Sequence, residues 1–269
     1  MADWYQKIVV VTGGSDGLGW VIARHFAMRR ATVVILARNP SRLKSVASDL
    51  LSLNPEHRLF GIVADVTDPD SIRQAVASII KDHQRIDVWI NNVGRSIRVP
   101  LVESQLSQYR DLMEVNFFAA VECSLQVLPW LSKSSGHLVH IGSLASKTGW
   151  PLMAPYSASK HALAAFHHQL RLEGPQNVHY LQVCPGPIQR SDAGTRYQDS
   201  TAGLDPSAAD PGAGVKIKGI SPEKLAHRIE VACLKRQSEI VWPAKSRLLF
   251  ILAQISPAMA DWLLQKMKK

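Results

Sequence analysis

The strongest constraint on this chain is its alternation of short β-branched runs with longer amphipathic segments. Between Ile8 and Cys184, such segments separate the runs IVVV, TVVIL, RLFGIVA, DVWI, HLVHI and HYLQVC. Short apolar runs that alternate with helical segments are typical of βαβ units, which build parallel sheets buried on both faces. Together with the later run EIVWP, they predict an α/β protein with a parallel sheet of about seven strands.

The segments between the runs predict the helices. Apolar residues recur at helical spacing in residues 18–28, 42–51, 70–81, 107–131, 155–172 and 222–235. We expect these helices to cover both faces of a doubly wound, Rossmann-type sheet. With 269 residues and a hydrophobic content of 46%, the chain can bury one full core, so we expect a single domain over residues 1–269.

The chain is basic, with 31 Lys and Arg against 22 Asp and Glu and a formal net charge of +9. This excess suits nucleic acid, an anionic membrane or a phosphate-rich cofactor. The basic residues are scattered and are not interleaved with aromatic residues, so no nucleic-acid partner is predicted.

The cysteines and the N-terminus indicate a reducing compartment. Cys123, Cys184 and Cys233 lie far apart and form no CxxC pair, so neither a disulfide framework nor a metal site is predicted. The N-terminus lacks the features of a signal peptide, and no apolar stretch reaches the roughly 18 residues that span a bilayer. We therefore expect a soluble, cytoplasmic protein that at most touches a membrane surface.

Two segments near the C-terminus depart from this rhythm. Residues 188–220 are rich in Ser, Asp, Ala, Gly and Pro, and their position after a core strand favours a substrate lid, with a solvated insertion as the alternative. Residues 244–269 form an apolar tail with a basic end at Lys266, Lys268 and Lys269. The tail suits docking on a subunit or at a membrane surface, or packing on the parent domain as a helix interrupted at Pro257.

A glycine-rich turn follows the first strand and leads directly into a helical pattern. It reads TGGSDGLG over residues 12–19. Gly13 suits a tight turn, Gly17 lets the backbone approach a pyrophosphate, and Gly19 suits close helix packing. A glycine pattern alone is a weak signal, but the strand-turn-helix context favours a dinucleotide site. The contacts that we expect from this turn come from Gly13, Ser15, Asp16, Gly17, Leu18 and Gly19.

The ends of the next strands predict the rest of the cofactor site. The second strand ends in Ala37-Arg38-Asn39, where a site selective for NAD carries a carboxylate, whereas Arg38 attracts a 2′-phosphate. This difference favours NADP(H) over NAD(H). At later strand ends we expect cofactor contacts from Asp65, Val66, Asn92 and Gly94. Asp68 is expected to begin a helix.

Ser143, Tyr156 and Lys160 are the most informative polar residues. Tyr156 and Lys160 are four residues apart in PYSASKHAL, so they share one face of a helix. A nearby ammonium group favours ionisation of a phenol, which is useful for proton transfer. Ser143 ends the fifth strand and suits either binding of a substrate oxygen or a turn. Asn116, in the apolar segment MEVNFFAA, needs a partner, either in the core or in a proton relay.

These motifs resemble those of the short-chain dehydrogenase/reductase (SDR) family, from Ile8 to about Pro243. The TGxxxGxG loop is present as TGGSDGLG, the NNAG element as NNVG and the YxxxK pair as YSASK. The helix asparagine, the strand-end serine and the turn Pro185-Gly186 match as well. Val93 replaces the alanine of NNAG, which is a conservative change.

The resemblance implies an oxidoreductase that interconverts a ketone or aldehyde and an alcohol with NADP(H). In the family pattern, Tyr156 is the general acid/base, and Lys160 lowers the pKa of the phenol and binds the nicotinamide ribose. Ser143 orients the carbonyl group, and Asn116 holds a water molecule in the proton relay.

Further expectations follow from the same resemblance. Pro185, Gly186 and Ile188 would pass beside the nicotinamide, and a homodimer or homotetramer is expected because such assemblies are frequent in the family. Leu144, Trp150, Leu152 and Met153 would form an apolar wall that favours a hydrophobic, lipid- or steroid-like substrate, with ordinary packing as the alternative.

Overall fold

The computed structural model describes residues 4–53, 58–190, 197, 199–201, 203–210, 212–213, 215 and 218–267. Within these residues, seven parallel strands form one sheet in the order β3-β2-β1-β4-β5-β6-β7. The strands are β1 (Ile8–Thr12), β2 (Thr32–Ala37), β3 (Arg58–Val63), β4 (Val88–Asn91), β5 (His137–Ile141), β6 (His179–Pro185) and β7 (Glu239–Trp242). The α/β fold that the sequence predicts is therefore confirmed.

The central strands are apolar because both faces of the sheet are covered. All five residues of β1 are buried. Successive side chains of a strand point to opposite faces. Accordingly, Val9 and Val11 pack into one hydrophobic cluster, and Ile8 and Val10 pack into a second cluster on the other face.

Helices connect the strands and form the two outer layers. They are α1 (Gly17–Ala27), α2 (Pro40–Leu53), α3 (Pro69–His83), α4 (Leu106–Met113), α5 (Ala119–Ser134), α6 (Ala154–Glu173), α7 (Pro222–Leu234), α8 (Ser246–Ile255) and α9 (Pro257–Met267). Asp68 caps α3 as expected, since its carboxylate accepts a hydrogen bond from the Asp70 amide at 3.0 Å.

The helix predicted over residues 107–131 lies within one continuous helical segment, Leu106 to Ser134, but this segment contains a π-helical turn that the sequence does not predict. A π-helical turn, Glu114–Phe118, separates α4 from α5, and α5 continues to Ser134. A π-turn adds one residue to a helical turn, and such turns are frequent at functional sites. The amide of Asn116, inside this turn, bonds to the backbone of Arg95 and to Ser159, contacts that sequence periodicity does not reveal.

The order in which strands are added to the sheet reverses between β1 and β4. From β1 the chain builds β2 and β3 on one side, and it then returns to build β4 to β7 on the other side. The loops that leave β1 and β4 therefore diverge at the carboxyl edge. Open parallel sheets bind their ligands in the crevice that such a divergence creates.

The two predicted C-terminal segments are described only in part. In residues 188–220, Ile188 forms a parallel bridge with Ile220, and short 3-10 helices span Asp199–Thr201 and Pro206–Ala209. The remainder of the predicted lid, residues 191–196, 198, 202, 211, 214, 216 and 217, lies outside the described residues, as do Lys268 and Lys269 of the tail.

The tail forms two helices that meet at Pro257, as the sequence indicates. Leu249 and Ala260 are buried, and Phe250 packs against a cluster that includes Leu144. Among the described helices, none combines the length and the apolar content needed to cross a membrane.

Candidate active site

A cleft of about 710 Å³ opens at the carboxyl edge of the sheet. It is lined by every residue that the sequence predicts to contact the cofactor: Gly13, Ser15, Asp16, Gly17, Leu18, Gly19, Arg38, Asp65, Val66, Asn92, Gly94, Tyr156, Lys160, Pro185, Gly186 and Ile188. Ser143 lines the same cleft, whereas Asn116 is buried behind it. The sheet thus brings residues from most of the chain to one site.

The glycine turn forms one end of the cleft. Gly13 has a φ of 64° and Gly17 a φ of 52°, in the left-handed region that favours glycine. A side chain at position 19 would collide with the carbonyl oxygen of Gly13 and the amide of Asn92. Asn92 also fixes the turn directly, because its Nδ2 donates to the carbonyl oxygen of Thr12 at 3.0 Å. The glycines therefore keep Cβ atoms away from the turn at which α1 begins, where helix amides can bind a phosphate.

Basic side chains surround this turn. Asp16 caps α1 by accepting a hydrogen bond from the Gly17 amide at 2.8 Å, and its other oxygen pairs with Arg42 Nη1 at 2.9 Å. A Cβ atom on Gly17 would lie 3.2 Å from Nη1 of Arg190, so that guanidinium group covers the turn. The sequence predictions missed both arginines, although Arg42 could have been found from its place on the helix after Arg38.

Arg38 and Asp65 lie together beside the turn. The side chain of Arg38 is 79% exposed, and its Nη1 is 3.8 Å from Oδ2 of Asp65. Asp65 Oδ1 accepts hydrogen bonds from the amide and the hydroxyl of Thr67, at 2.9 and 2.8 Å. Burial alone would raise the pKa of Asp65, but the Thr67 hydrogen bonds and the charge of Arg38 outweigh it and lower the pKa. Asp65 thus carries a negative charge that shapes this loop.

Tyr156 and Lys160 lie on the first turns of α6, where both face the cleft. Lys160 Nζ is 5.9 Å from the centre of the Tyr156 ring and donates to the carbonyl oxygen of Ile141 at 2.9 Å. Burial lowers the pKa of Lys160 to about 8. The ammonium group therefore lies between the end of β5 and the phenol ring.

Asn116 and Lys160 lie on either side of Gly94. Its Oδ1 accepts from the Arg95 amide at 2.8 Å, and its Nδ2 donates to the Arg95 carbonyl oxygen and to Ser159 Oγ, both at 2.9 Å. A Cβ atom on Gly94 would lie 3.2 Å from Lys160 Nζ and 3.3 Å from Asn116 Oδ1. The two polar atoms therefore converge on the glycine, which leaves room for both.

The ends of β5 and β6 complete the reactive end of the cleft. Ser143 follows β5 and caps a 3-10 helix, Leu144–Ser146, because its Oγ accepts from the Ala145 amide at 3.1 Å. The Ser143 hydroxyl keeps its own proton available for a ligand. After β6, the Gly186 amide donates to the carbonyl oxygen of Trp242 at 2.7 Å. This bond fixes the backbone between Pro185 and Ile188.

A contact between distant segments closes one side of the cleft. The hydroxyl of Tyr197, in the predicted lid, is 2.5 Å from Ser96 Oγ. The guanidinium carbon of Arg98 is 4.2 Å from the centre of the Tyr197 ring. These three residues line the cleft, and the sequence predictions missed them because no local spacing relates Tyr197 to residues about one hundred positions earlier.

Comparison with known proteins decides the family. A sequence profile described as short chain dehydrogenase matches residues 7–201. The chain belongs to the short-chain dehydrogenase family. This short-chain dehydrogenase is 32% identical over 268 residues to the Dehydrogenase/reductase SDR family protein 7-like of Drosophila melanogaster. That match covers 97% of this chain and 80% of the relative.

Solved structures share the fold of this short-chain dehydrogenase. A short-chain dehydrogenase from Streptomyces avermitilis superimposes with a TM-score of 0.77 at 24% identity, covering 95% of each chain. A metagenomic short-chain oxidoreductase in complex with NADP gives a TM-score of 0.71 at 24% identity, covering 89% of this chain and 98% of that one. These structures share the fold, while the sequence profile and the Drosophila relative make the chain an oxidoreductase of this family, as the motifs predict.

Proposed function

We propose that this short-chain dehydrogenase interconverts a ketone or aldehyde and the corresponding alcohol with NADP(H). The observation that carries the proposal is that Tyr156, Lys160 and Ser143 line the same cleft as the glycine turn. Each role in such a reaction has a candidate side chain in a position to fill it. The bound nicotinamide would supply or accept the hydride.

The side chains around the reacting oxygen would handle its proton and its charge. Tyr156 donates a proton to the oxygen during reduction and accepts it during oxidation. Ser143 donates a hydrogen bond to the oxygen while its charge changes. Lys160 favours the ionised phenol by its positive charge, and Asn116 holds the backbone of Arg95 beside that lysine.

The basic residues around the glycine turn support NADP(H) rather than NAD(H). Arg38 lies at the end of β2, where a carboxylate would bind a ribose hydroxyl, and Arg42 lies near it in the cleft. Guanidinium groups bind phosphate oxygens with charge-assisted hydrogen bonds. The metagenomic relative in complex with NADP has the same fold. The glycine turn would hold the pyrophosphate, and Lys160 the nicotinamide ribose.

The walls near Tyr156 support an apolar substrate. Leu144, Trp150 and Met153 line the cleft at its reactive end. Pockets for small molecules combine such apolar walls with a few polar groups that fix orientation. The substrate is therefore proposed to be a hydrophobic carbonyl compound or alcohol.

We also propose that the protein is cytoplasmic and that its C-terminal tail contacts a membrane surface. Leu248, Ile251 and Ile255 lie on one face of α8 and are 73%, 55% and 77% exposed. Trp262 on α9 is exposed too, with Lys266 Nζ 3.9 Å from the centre of its ring. An apolar face with aromatic and basic neighbours is typical of helices that lie in a membrane interface. Packing against a second subunit of a homodimer or homotetramer is the alternative.

Replacement of Tyr156 by Phe tests the proposed reaction. We expect turnover of NADPH with a panel of ketones and aldehydes to fall by about 10² to 10⁴, because general acid/base catalysis contributes on that order. NADPH binding, followed by fluorescence, should persist. Tyr180→Phe is the matched control, since that hydroxyl bonds to the Pro175 carbonyl oxygen outside the cleft. Equal turnover in Tyr156→Phe and the wild type would refute the assignment.

A further inference from the structure

A second cavity of about 560 Å³ adjoins the cleft. We call it the side chamber. It is lined by Val99, Pro100, Leu101, Trp150, Pro151, Leu152, Ala154, Leu204, Asp205, Ser207, Ala208 and Ala213. Asp205 and Ser207 are its only polar lining residues among those described. A cavity of this size and apolar character falls in the range of about 300–1,000 Å³ that is typical of small-molecule sites.

Trp150 is the wall between the side chamber and the cleft. It lines both cavities, and Phe250 of α8 packs in the same cluster. A molecule that extends from the cleft into the side chamber would therefore pass the Trp150 indole.

The chamber is preformed by a backbone contact between its two walls. The Val99 amide donates to the carbonyl oxygen of Leu152 at 2.9 Å. This bond joins the loop after β4 to the segment that leads into α6 and Tyr156. The chamber therefore has a fixed position relative to the phenol.

The rim of the chamber is apolar and open to solvent. Leu101, in the 3-10 helix Leu101–Glu103, lines the chamber and is 67% exposed. Its neighbour Val102 is exposed too but does not line the chamber. The Leu101 side chain therefore offers apolar surface to a molecule that extends outward from the chamber.

We propose that the side chamber binds the apolar tail of the substrate while its carbonyl group lies at Tyr156. The substrate class is then a carbonyl compound, or its alcohol, with an extended apolar tail that passes Trp150. This inference rests on the proposed function, because it places the reacting group at the phenol. The shared wall, the apolar lining and the apolar rim all support this path.

The test is a series of straight-chain methyl ketones, from 2-butanone to 2-undecanone, with NADPH. Each methylene that enters the chamber should raise kcat/KM by up to about fourfold, mostly through a lower KM, because its surface leaves water. The quantity to compare is the preference ratio, defined as kcat/KM for 2-undecanone divided by kcat/KM for 2-pentanone.

Two neighbouring substitutions make the test specific. Leu101→Asp puts a charge on the chamber lining, and we expect it to lower the preference ratio about tenfold. Val102→Asp adds the same charge one residue away, outside the lining, and should leave the ratio unchanged. Both side chains are largely exposed, so both variants should fold.

The outcomes separate the chamber from the chemistry. If no ketone of any length is reduced although NADPH binds, the proposed reaction fails. If short ketones are reduced but kcat/KM does not rise with chain length, the side chamber is not a tail site. Equal preference ratios in Leu101→Asp and Val102→Asp would also overturn the proposal that the side chamber binds the tail.

Discussion

Lys160 carries a positive charge in buried surroundings that disfavour it. It is 3% exposed, and burial lowers its pKa from 10.5 to about 8. At about 1.4 kcal/mol for each pH unit, burying this charge costs up to about 3 kcal/mol at pH 7. Residues that destabilise a fold in this way are typical of functional sites, where activity and stability compete.

Replacement of Lys160 by Met should therefore stabilise the protein while it abolishes turnover. We expect the free energy of unfolding at pH 7 to rise by about 1–3 kcal/mol. Loss of the hydrogen bond to the Ile141 carbonyl oxygen opposes part of this gain. Urea unfolding measures this change. Lys224→Met, at an exposed position on α7, is the control. A less stable Lys160→Met protein at pH 7 would contradict the argument.

The same pKa fixes the sign of a pH effect. Because the folded pKa of about 8 lies below the unfolded value, the unfolded chain binds more protons between about pH 8 and 10.5. The contribution of Lys160 to stability should thus rise with pH across this window. The rise should be absent from Lys160→Met when urea unfolding is repeated at pH 10.

Replacement of Arg38 by Ala tests the preference for NADPH. We expect KM for NADPH to rise by about tenfold or more, since hydrogen bonds to charged groups contribute about 1.5–3 kcal/mol. KM for NADH and kcat with either cofactor should change little. Steady-state kinetics with both cofactors measure these KM and kcat values. Arg58→Ala is the control, because Arg58 begins β3 and so lies at the edge of the sheet opposite the cleft. Equal losses with NADH and NADPH would argue against a 2′-phosphate contact.

At this scale, sequence reasoning finds residues whose partners are near in the chain. The glycine turn and the Tyr156–Lys160 pair have a recognisable spacing within a few positions. The contact of Tyr197 with Ser96 depends on how the chain returns to the cleft, so no spacing predicts it.

Among the elements, the helix that contains Asn116 differs most from its sequence pattern. Its apolar periodicity continues across Glu114–Phe118, so the spacing of apolar residues does not reveal the one residue that the π-turn inserts. The π-turn places the Asn116 amide against the backbone of Arg95. This feature depends on tertiary contacts and could not be predicted from the segment alone.

The helix pair α8 and α9 gives a prediction about membranes. The double variant Leu248→Asp, Ile255→Asp should sediment much less than the wild type with vesicles that contain phosphatidylcholine and phosphatidylserine. The control is Lys235→Asp, an exposed position at the end of α7. Turnover of a short ketone should persist in the double variant, because the substituted side chains face solvent. Equal sedimentation of wild type and double variant would instead favour a subunit contact.

At the scale of the whole molecule, the fold is predictable because its strands are local and apolar on both faces. All seven runs named from the sequence correspond to strands of one parallel sheet. The predicted run RLFGIVA extends one residue beyond β3, which ends at Val63, so Ala64 belongs to the loop. The segment at residues 188–220 has little apolar periodicity, so its bridge from Ile188 to Ile220 could not be predicted.

The pairing of β1 with β4 has a consequence for assembly. The glycine turn follows β1, whereas Ser143 and Tyr156 belong to the half of the sheet that β4 begins. A nascent chain halted before β4 contains the glycine turn, but it lacks Ser143 and Tyr156. Capture of the dinucleotide should therefore occur late in folding, and added NADPH during refolding should select molecules in which both halves have docked.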